Sequence, residues 1–220
     1  MAQPLETIEI ETGVRPAAAV IWLHGLGADG HDFEPVVQQL RLPGSLAVRF
    51  VFPHAPVRPV TINQGMRMRA WYDILQLGGG SEDETGIRAS QKLLEGLIER
   101  ESARGIAPQR VVLAGFSQGG AIALQTALRY RERLAGTLAL STYLPLASKL
   151  AAEAGAAGRE MPIFMAHGVQ DPMIAVEHAR RSRDVLASFG YRVEWREYAM
   201  PHSVCAEEIS DIANWLTRIL

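Results

Sequence analysis

Apolar and polar positions change period along the chain, and each change marks an element. Thr7–Thr12 alternates polar and apolar residues, as an edge strand does. Ala17–Leu23 is a continuous apolar run, the pattern of a strand covered on both faces. Asp32–Leu40 has helical spacing, with Phe33, Val36, Val37 and Leu40 on one side. Ala47–Phe52 is another buried strand, stopped by Pro53. Residues 53–85 carry no clear period and read as a long loop or lid with a short hairpin, in which Trp71-Tyr72-Asp73-Ile74 precedes Gly78-Gly79-Gly80.

Thr85–Arg104 is a strongly amphipathic helix whose stripe is Ile87, Leu93, Leu94, Leu97 and Ile98. The spacing then predicts a strand over Arg110–Ala114, a helix over Gly119–Tyr130 and strands over Leu134–Leu140 and Pro162–His167. A helix over Ile174–Phe189, closed by Gly190, a strand over Arg192–Tyr198 and a helix over Val204–Leu220 complete the series. The Ala/Gly-rich segment Leu150–Gly158 reads as a surface turn after a short helix. Strands alternating with helices predict an α/β fold over residues 1–220, one domain with a mostly parallel twisted sheet and helices on both faces. In such sheets the site lies at the carboxyl ends of the strands.

Charge and composition narrow the function. The 220 residues hold 22 Lys+Arg against 24 Asp+Glu, a net charge of −2, so neither nucleic acid nor an anionic membrane is an expected partner. The single cysteine, Cys205, has no internal disulfide partner, which fits a reducing compartment. The start, M-A-Q-P-L-E-T-I-E-I-E, lacks the basic and apolar regions of a signal peptide, and a cytoplasmic location is expected. The longest uncharged run, Val111–Leu128, contains Ser117, Gln118, Gln125 and three glycines. It is a poor membrane span and a good strand-turn-helix, so no integral membrane segment is expected.

That run carries the first chemistry. G-F-S-Q-G at 115–119 is weak as a bare G-x-S-x-G, but here V-V-L-A precedes it and A-I-A-L follows. Glycines on both sides of a strand-to-helix turn leave one serine strained and exposed above the sheet. A serine hydroxyl needs a base. Of six histidines, His178 falls inside a helix and reads as solvated, and His31, between Asp29 and Asp32, reads as local capping. His202 follows the last strand and precedes the last helix, where a base can reach the carboxyl edge. Asp171, four residues past His167 and just off a strand end, is the candidate acid. It also reads as a cap for the helix that follows; the two roles are compatible. The chain order Ser117, Asp171, His202 is that of an α/β-hydrolase. The oxyanion of such a reaction needs two amide donors. The candidates are the N–H of Gln118 and that of Leu26 in H-G-L-G, with His24 ordering the loop.

The motifs together resemble the carboxylesterase and acyl-protein thioesterase family of α/β-hydrolases. They are W-L-H-G-L-G at 22–27, F-P-H-A-P at 52–56, W-Y-D-I at 71–74, G-F-S-Q-G-G at 115–120, S-T-Y-L-P-L at 141–146, H-G-V-Q-D-P at 167–172 and M-P-H-S-V at 200–204. The resemblance implies the triad Ser117, Asp171, His202 and the donors Leu26 and Gln118. It implies an esterase or thioesterase with no metal, no cofactor and no separate cap domain, in a homodimer that partly shields the site. It places residues 71–77 beside an acyl groove to which Trp71, Leu75 and Leu144 contribute. Met66, Met68, Leu77 and Met173 are further apolar candidates, and Arg67 and Arg69 read as solvated charge. Short-to-medium acyl esters are the expected substrates. Thioesters, acylated proteins and lysophospholipids present the same carbonyl. The reading from another class is a binding protein that keeps the fold without the reaction.

Overall fold

The computed structural model describes residues 5–76 and 81–220, so Leu77 and Gly78–Gly80 lie outside the described residues. Seven strands form one sheet in the order β1-β3-β2-β6-β7-β8-β9. These are β1 (Thr7–Glu11), β2 (Ala18–Leu23), β3 (Val48–Pro53), β6 (Val111–Phe116), β7 (Gly136–Leu140), β8 (Ile163–Gly168) and β9 (Val193–Tyr198). Only β1 runs antiparallel, pairing Thr7 with Pro53 through Glu11 with Arg49. Every other neighbour pair is parallel.

The apolar runs alternate between two cores. Ala18, Val20 and Trp22 of β2 pack on one face with Phe50, Phe52, Phe164 and Trp215. Ala19, Ile21 and Leu23 pack on the other with Ile87, Leu94, Ile122 and Leu124. This is why the run carries no polar position: each residue has a covered face to enter. The short helix α1 (Val36–Leu40) and α6 (Ala206–Ile219) touch each other on the first face. The second holds α2 (Glu84–Ala103) against α3 (Gln118–Ala127), with α4 (Leu150–Glu153) and Leu186 of α5 (Val176–Ser188).

Several boundaries differ from the periodicity. The helix expected from residue 32 is regular only from Val36, although Phe33, Val36, Val37 and Leu40 are all buried as the stripe requires. Pro53 ends β3 as a member, paired with the edge strand, rather than stopping it from outside. α5 starts at Val176 instead of Ile174, because Asp171 closes a turn of its own before the helix. Within 53–85 the hairpin is β4 (Val57–Val60) against β5 (Met66–Arg69). Arg67 there is exposed, but Arg69 is half-buried and donates to the Ala55 carbonyl at 3.0 Å, so it is a structural cation rather than a solvated one.

Candidate active site

Ser117 stands between β6 and α3 with φ 53° and ψ −121°, a left-handed backbone unusual for a residue with a side chain. The turn is overdetermined by its neighbours. The Ser117 N–H donates to the Leu140 carbonyl at 2.8 Å, and Thr142 Oγ1 donates to the Ser117 carbonyl at 2.7 Å. Close packing forces glycine at 119, where a Cβ would meet the Leu23 and His24 carbonyl oxygens at 2.5 and 2.6 Å. Ser117 occupies the N-cap position of α3 yet makes no side-chain cap bond. Serine is a favoured cap residue, so a hydroxyl left out of that role is available for chemistry.

Asp171 and His202 meet across two connections. Asp171 Oδ2 accepts from His202 Nδ1 at 2.6 Å, and Oδ1 accepts the Met173 and Ile174 N–H groups at 2.8 and 2.9 Å. The carboxylate can only accept, so the His202 proton on this side sits on Nδ1 and the Nε2 lone pair of the neutral ring is free to take another proton. The His202 ring leans on Phe116, the residue before Ser117, with centroids 4.7 Å apart. The meeting depends on Gly168: a Cβ there would lie 2.3 Å from the Met200 carbonyl oxygen and 2.5 Å from that of Pro201. Without a side chain at 168, the His202 loop passes directly over the end of β8.

The H-G-L-G loop lies beside the serine, since a Cβ on Gly25 would sit 3.5 Å from Ser117 Cβ. His24 orders it. Its Nε2 accepts the Ala55 N–H at 3.0 Å, so Nδ1 carries the proton that goes to the Gly25 carbonyl at 2.7 Å. Burial pushes its pKa down to about 4, which keeps that tautomer neutral. Gly27, at φ 79°, donates to the Arg69 carbonyl at 2.9 Å and leaves Leu26 at the apex.

A groove of about 580 Å³ opens beside Ser117 and Gln118. Its apolar wall includes Leu75, Leu144, Met173 and Ile174. Trp71 does not reach it: the ring is fully buried beneath, its Nε1–H donating to the His24 carbonyl at 2.9 Å. Met66, 65% exposed on the hairpin, and Met68 are likewise outside the wall. His178 is half-buried on the groove side, contrary to the solvated reading. The Tyr72 and Tyr143 hydroxyls bond each other at 2.9 Å at the groove's edge, and burial raises both phenol pKa values, so they stay protonated.

Two site side chains escaped the sequence reading. The Gln118 side chain accepts the Trp71 N–H at 2.8 Å and donates to the Tyr72 carbonyl at 2.7 Å. His167, fully buried, places Nε2 3.2 Å from Asp171 Oδ2. Neither partnership follows a local spacing; Gln118 and Trp71 are separated by 47 positions. Among the described residues no group of three or more His, Cys, Asp or Glu could hold a metal ion, and no helix is long and apolar enough to cross a membrane.

Known proteins share this arrangement of chain. The family profile described as Phospholipase/Carboxylesterase matches residues 5–220. A Neurospora crassa protein named acyl-protein thioesterase 1 is 43% identical over 216 residues, covering 94% of this chain and 88% of that one. The crystal structure of Arabidopsis thaliana SOBER1 superposes with a TM-score of 0.87 at 32% identity, over 92% of this chain and 98% of the other. That of Zea mays acyl-protein thioesterase 2 gives 0.84 at 28% identity, over 97% and 98%.

Proposed function

The chain belongs to the phospholipase/carboxylesterase family of α/β-hydrolases and is an ester or thioester hydrolase; from that premise we propose that it works by acyl transfer through Ser117, His202 and Asp171. The observation that carries the assignment is the 2.6 Å bond from His202 Nδ1 to Asp171 Oδ2, on the same edge as a serine whose hydroxyl is not spent on capping. His202 Nε2 takes the Ser117 proton as Oγ attacks the acyl carbonyl. The N–H groups of Leu26 and Gln118 receive the oxyanion. The tetrahedral intermediate collapses, the bond to the alkoxide or thiolate breaks, and His202 gives its proton to the leaving group. Water then repeats the cycle on the acyl-enzyme, releasing the acid. Asp171 orients the imidazole and supports its charge when protonated.

Short-to-medium acyl esters are the proposed substrates, their chains lying against Leu75 and Leu144 in a groove whose volume is within the usual range for small-molecule sites, about 300–1,000 Å³. The curated relatives named acyl-protein thioesterase 1 favour an acylated protein as natural substrate, with lysophospholipid the runner-up. The proposed setting is the cytoplasm, as a single domain and a homodimer. Intact mass after fluorophosphonate treatment tests the assignment. One adduct on the wild type and none on Ser117→Ala is expected. No adduct on folded wild type would bring forward the non-catalytic binding reading.

A further inference from the structure

We propose that His167 is a positioning residue for this hydrolase: its Nε2–H ties down the turn that carries Asp171, and with its nitrogen 3.2 Å from Oδ2 it sets how much of that carboxylate's charge reaches the His202 imidazole. The inference rests on the triad reading above and adds a residue to it.

The proton on His167 can be located. Nε2 lies 2.8 Å from the Ile174 carbonyl oxygen, which can only accept, so Nε2 is the protonated nitrogen. The same nitrogen lies 3.2 Å from Asp171 Oδ2, a close electrostatic approach, while its hydrogen bond goes to the Ile174 carbonyl. Asp171 therefore has three hydrogen-bond donors, the Met173 and Ile174 N–H groups at Oδ1 and His202 at Oδ2, with the His167 nitrogen close beside Oδ2. The two amides, and the turn tied to His167 through the Ile174 carbonyl, fix the carboxylate independently of His202. The carboxylate is thus held in place before the base needs it.

The other ring nitrogen shows what this arrangement sacrifices. His167 Nδ1 is buried without any hydrogen-bond partner. An orphaned buried acceptor is destabilising, and an apolar side chain of similar volume would avoid it. The Nε2–H is what the position gains in return. Burial also lowers the His167 pKa. The charged and titratable groups facing it are Asp171 in the turn after its own strand, His202 from the loop after β9, and Glu197 of β9. A neutral ring donates once, to the Ile174 carbonyl, and adds no positive charge beside His202.

Removing that N–H takes its dipole away from Oδ2 and unties the Ile174 carbonyl. More negative charge then favours the imidazolium, so the acid limb of activity moves to higher pH. The carboxylate also loses a constraint on its orientation, which slows turnover.

The experiment compares pH profiles of kcat/KM for p-nitrophenyl butyrate hydrolysis by wild type, His167→Phe, His167→Asn and His167→Gln. Phe and Asn place no donor at the Nε2 position; Gln does. The two variants without the donor are expected to lose about tenfold, mostly in kcat, far short of the ~10⁴ loss with the acid itself. Their acid limb moves up by ~0.5 pH unit, and Gln restores both. A folded Phe or Asn variant with the wild-type profile overturns the proposal, as does a Gln variant no better than Phe. Nitrogen-15 spectra of the histidine rings in the wild-type protein test it without any variant: His167 should be the Nε2–H tautomer throughout, and an Nδ1–H tautomer overturns it. Asp171→Asn measured alongside separates the two readings. Wild-type activity in that variant would remove the triad assignment itself.

Discussion

Gln118 grips Trp71: its side-chain oxygen accepts the Trp71 N–H at 2.8 Å while its amide nitrogen donates to the next carbonyl, that of Tyr72, at 2.7 Å. The residue whose backbone is proposed to hold the oxyanion thus also fixes the strand of chain entering the groove wall. Gln118→Ala keeps the backbone N–H and loses both side-chain bonds. It leaves two buried backbone groups unpaired, at about 1–3 kcal/mol for each group left unsatisfied. The expected result is a lower midpoint in urea and a raised KM for longer acyl esters, with kcat on the shortest ester less affected. A uniform loss across the ester series would contradict a role in shaping the wall.

Asp171→Asn separates the proposed catalytic duty of Asp171 from its capping of the turn before α5. An asparagine oxygen can still accept from Met173 and Ile174, so the turn before α5 survives. The amide nitrogen then faces His202 Nδ1 and cannot accept its proton. We expect a near-native melting temperature with kcat lower by about 10⁴, against about 10⁶ for Ser117→Ala. Equal unfolding and activity losses in Asp171→Asn would point to a purely structural aspartate.

Gly168→Ala acts on the proposed base, His202, without touching it. The added carbon would lie 2.3 Å from the Met200 carbonyl oxygen, so the loop bearing His202 must lift. Fluorophosphonate labelling of Ser117 should slow by at least about tenfold, in line with the cost of small misplacements. Gly44→Ala, with nothing within 4 Å of the new carbon, is the control and should label normally.

Stability should respond to pH from opposite directions. Glu208 is fully buried on α6, and burial raises its pKa from 4.5 to about 8. The folded chain keeps a proton that the unfolded chain has released. Its contribution is complete below 4.5 and is lost as pH rises toward about 8. His24 is the converse. With its pKa lowered from 6.5 to about 4, its contribution is complete above 6.5 and is lost as pH falls toward 4. Between 4.5 and 6.5 the two slopes oppose each other. Above 6.5 the Glu208 slope stands without that opposition. Urea unfolding of Glu208→Gln should lose most of the wild type's decline between pH 6.5 and 8. The same decline in both proteins would show that this carboxyl is not its source.

Much of this was legible in the chain because it is local. The β6–α3 turn, its serine and the apolar runs of β2 and β3 each depend on neighbours within a few residues. So does the place of His202 after the last strand. Trp71 misled because an aromatic residue in an aperiodic stretch looks the same whether it lines a groove or fills the floor beneath one. Its burial is decided by Gln118 and His24, 47 positions away in each direction along the chain. His167 was hidden for a related reason: it ends a buried strand, where an inward polar residue has no periodic signature. Its meaning comes only from the turn that brings Asp171 back over it. Arg69 gave no sign of its half-buried state for the same reason, since the carbonyl it serves lies across the hairpin base.

The strand order carries a consequence for how this reaction is measured out in space. Ser117 rides on β6 and Asp171 on β8, with β7 between them. Adjacent strands lie ~4.8 Å apart, so two spacings set the gap near ~10 Å. An imidazole with a hydrogen bond at each end covers ~8 Å, and the side chains of Ser117 and Asp171 make up the remainder. On the proposed reading the sheet is a ruler that His202 spans. Loops at the opposite edge, such as residues 104–108 and 131–135, can change length without altering the gauge. An alteration in the register of β6, β7 or β8 would misgauge every turnover.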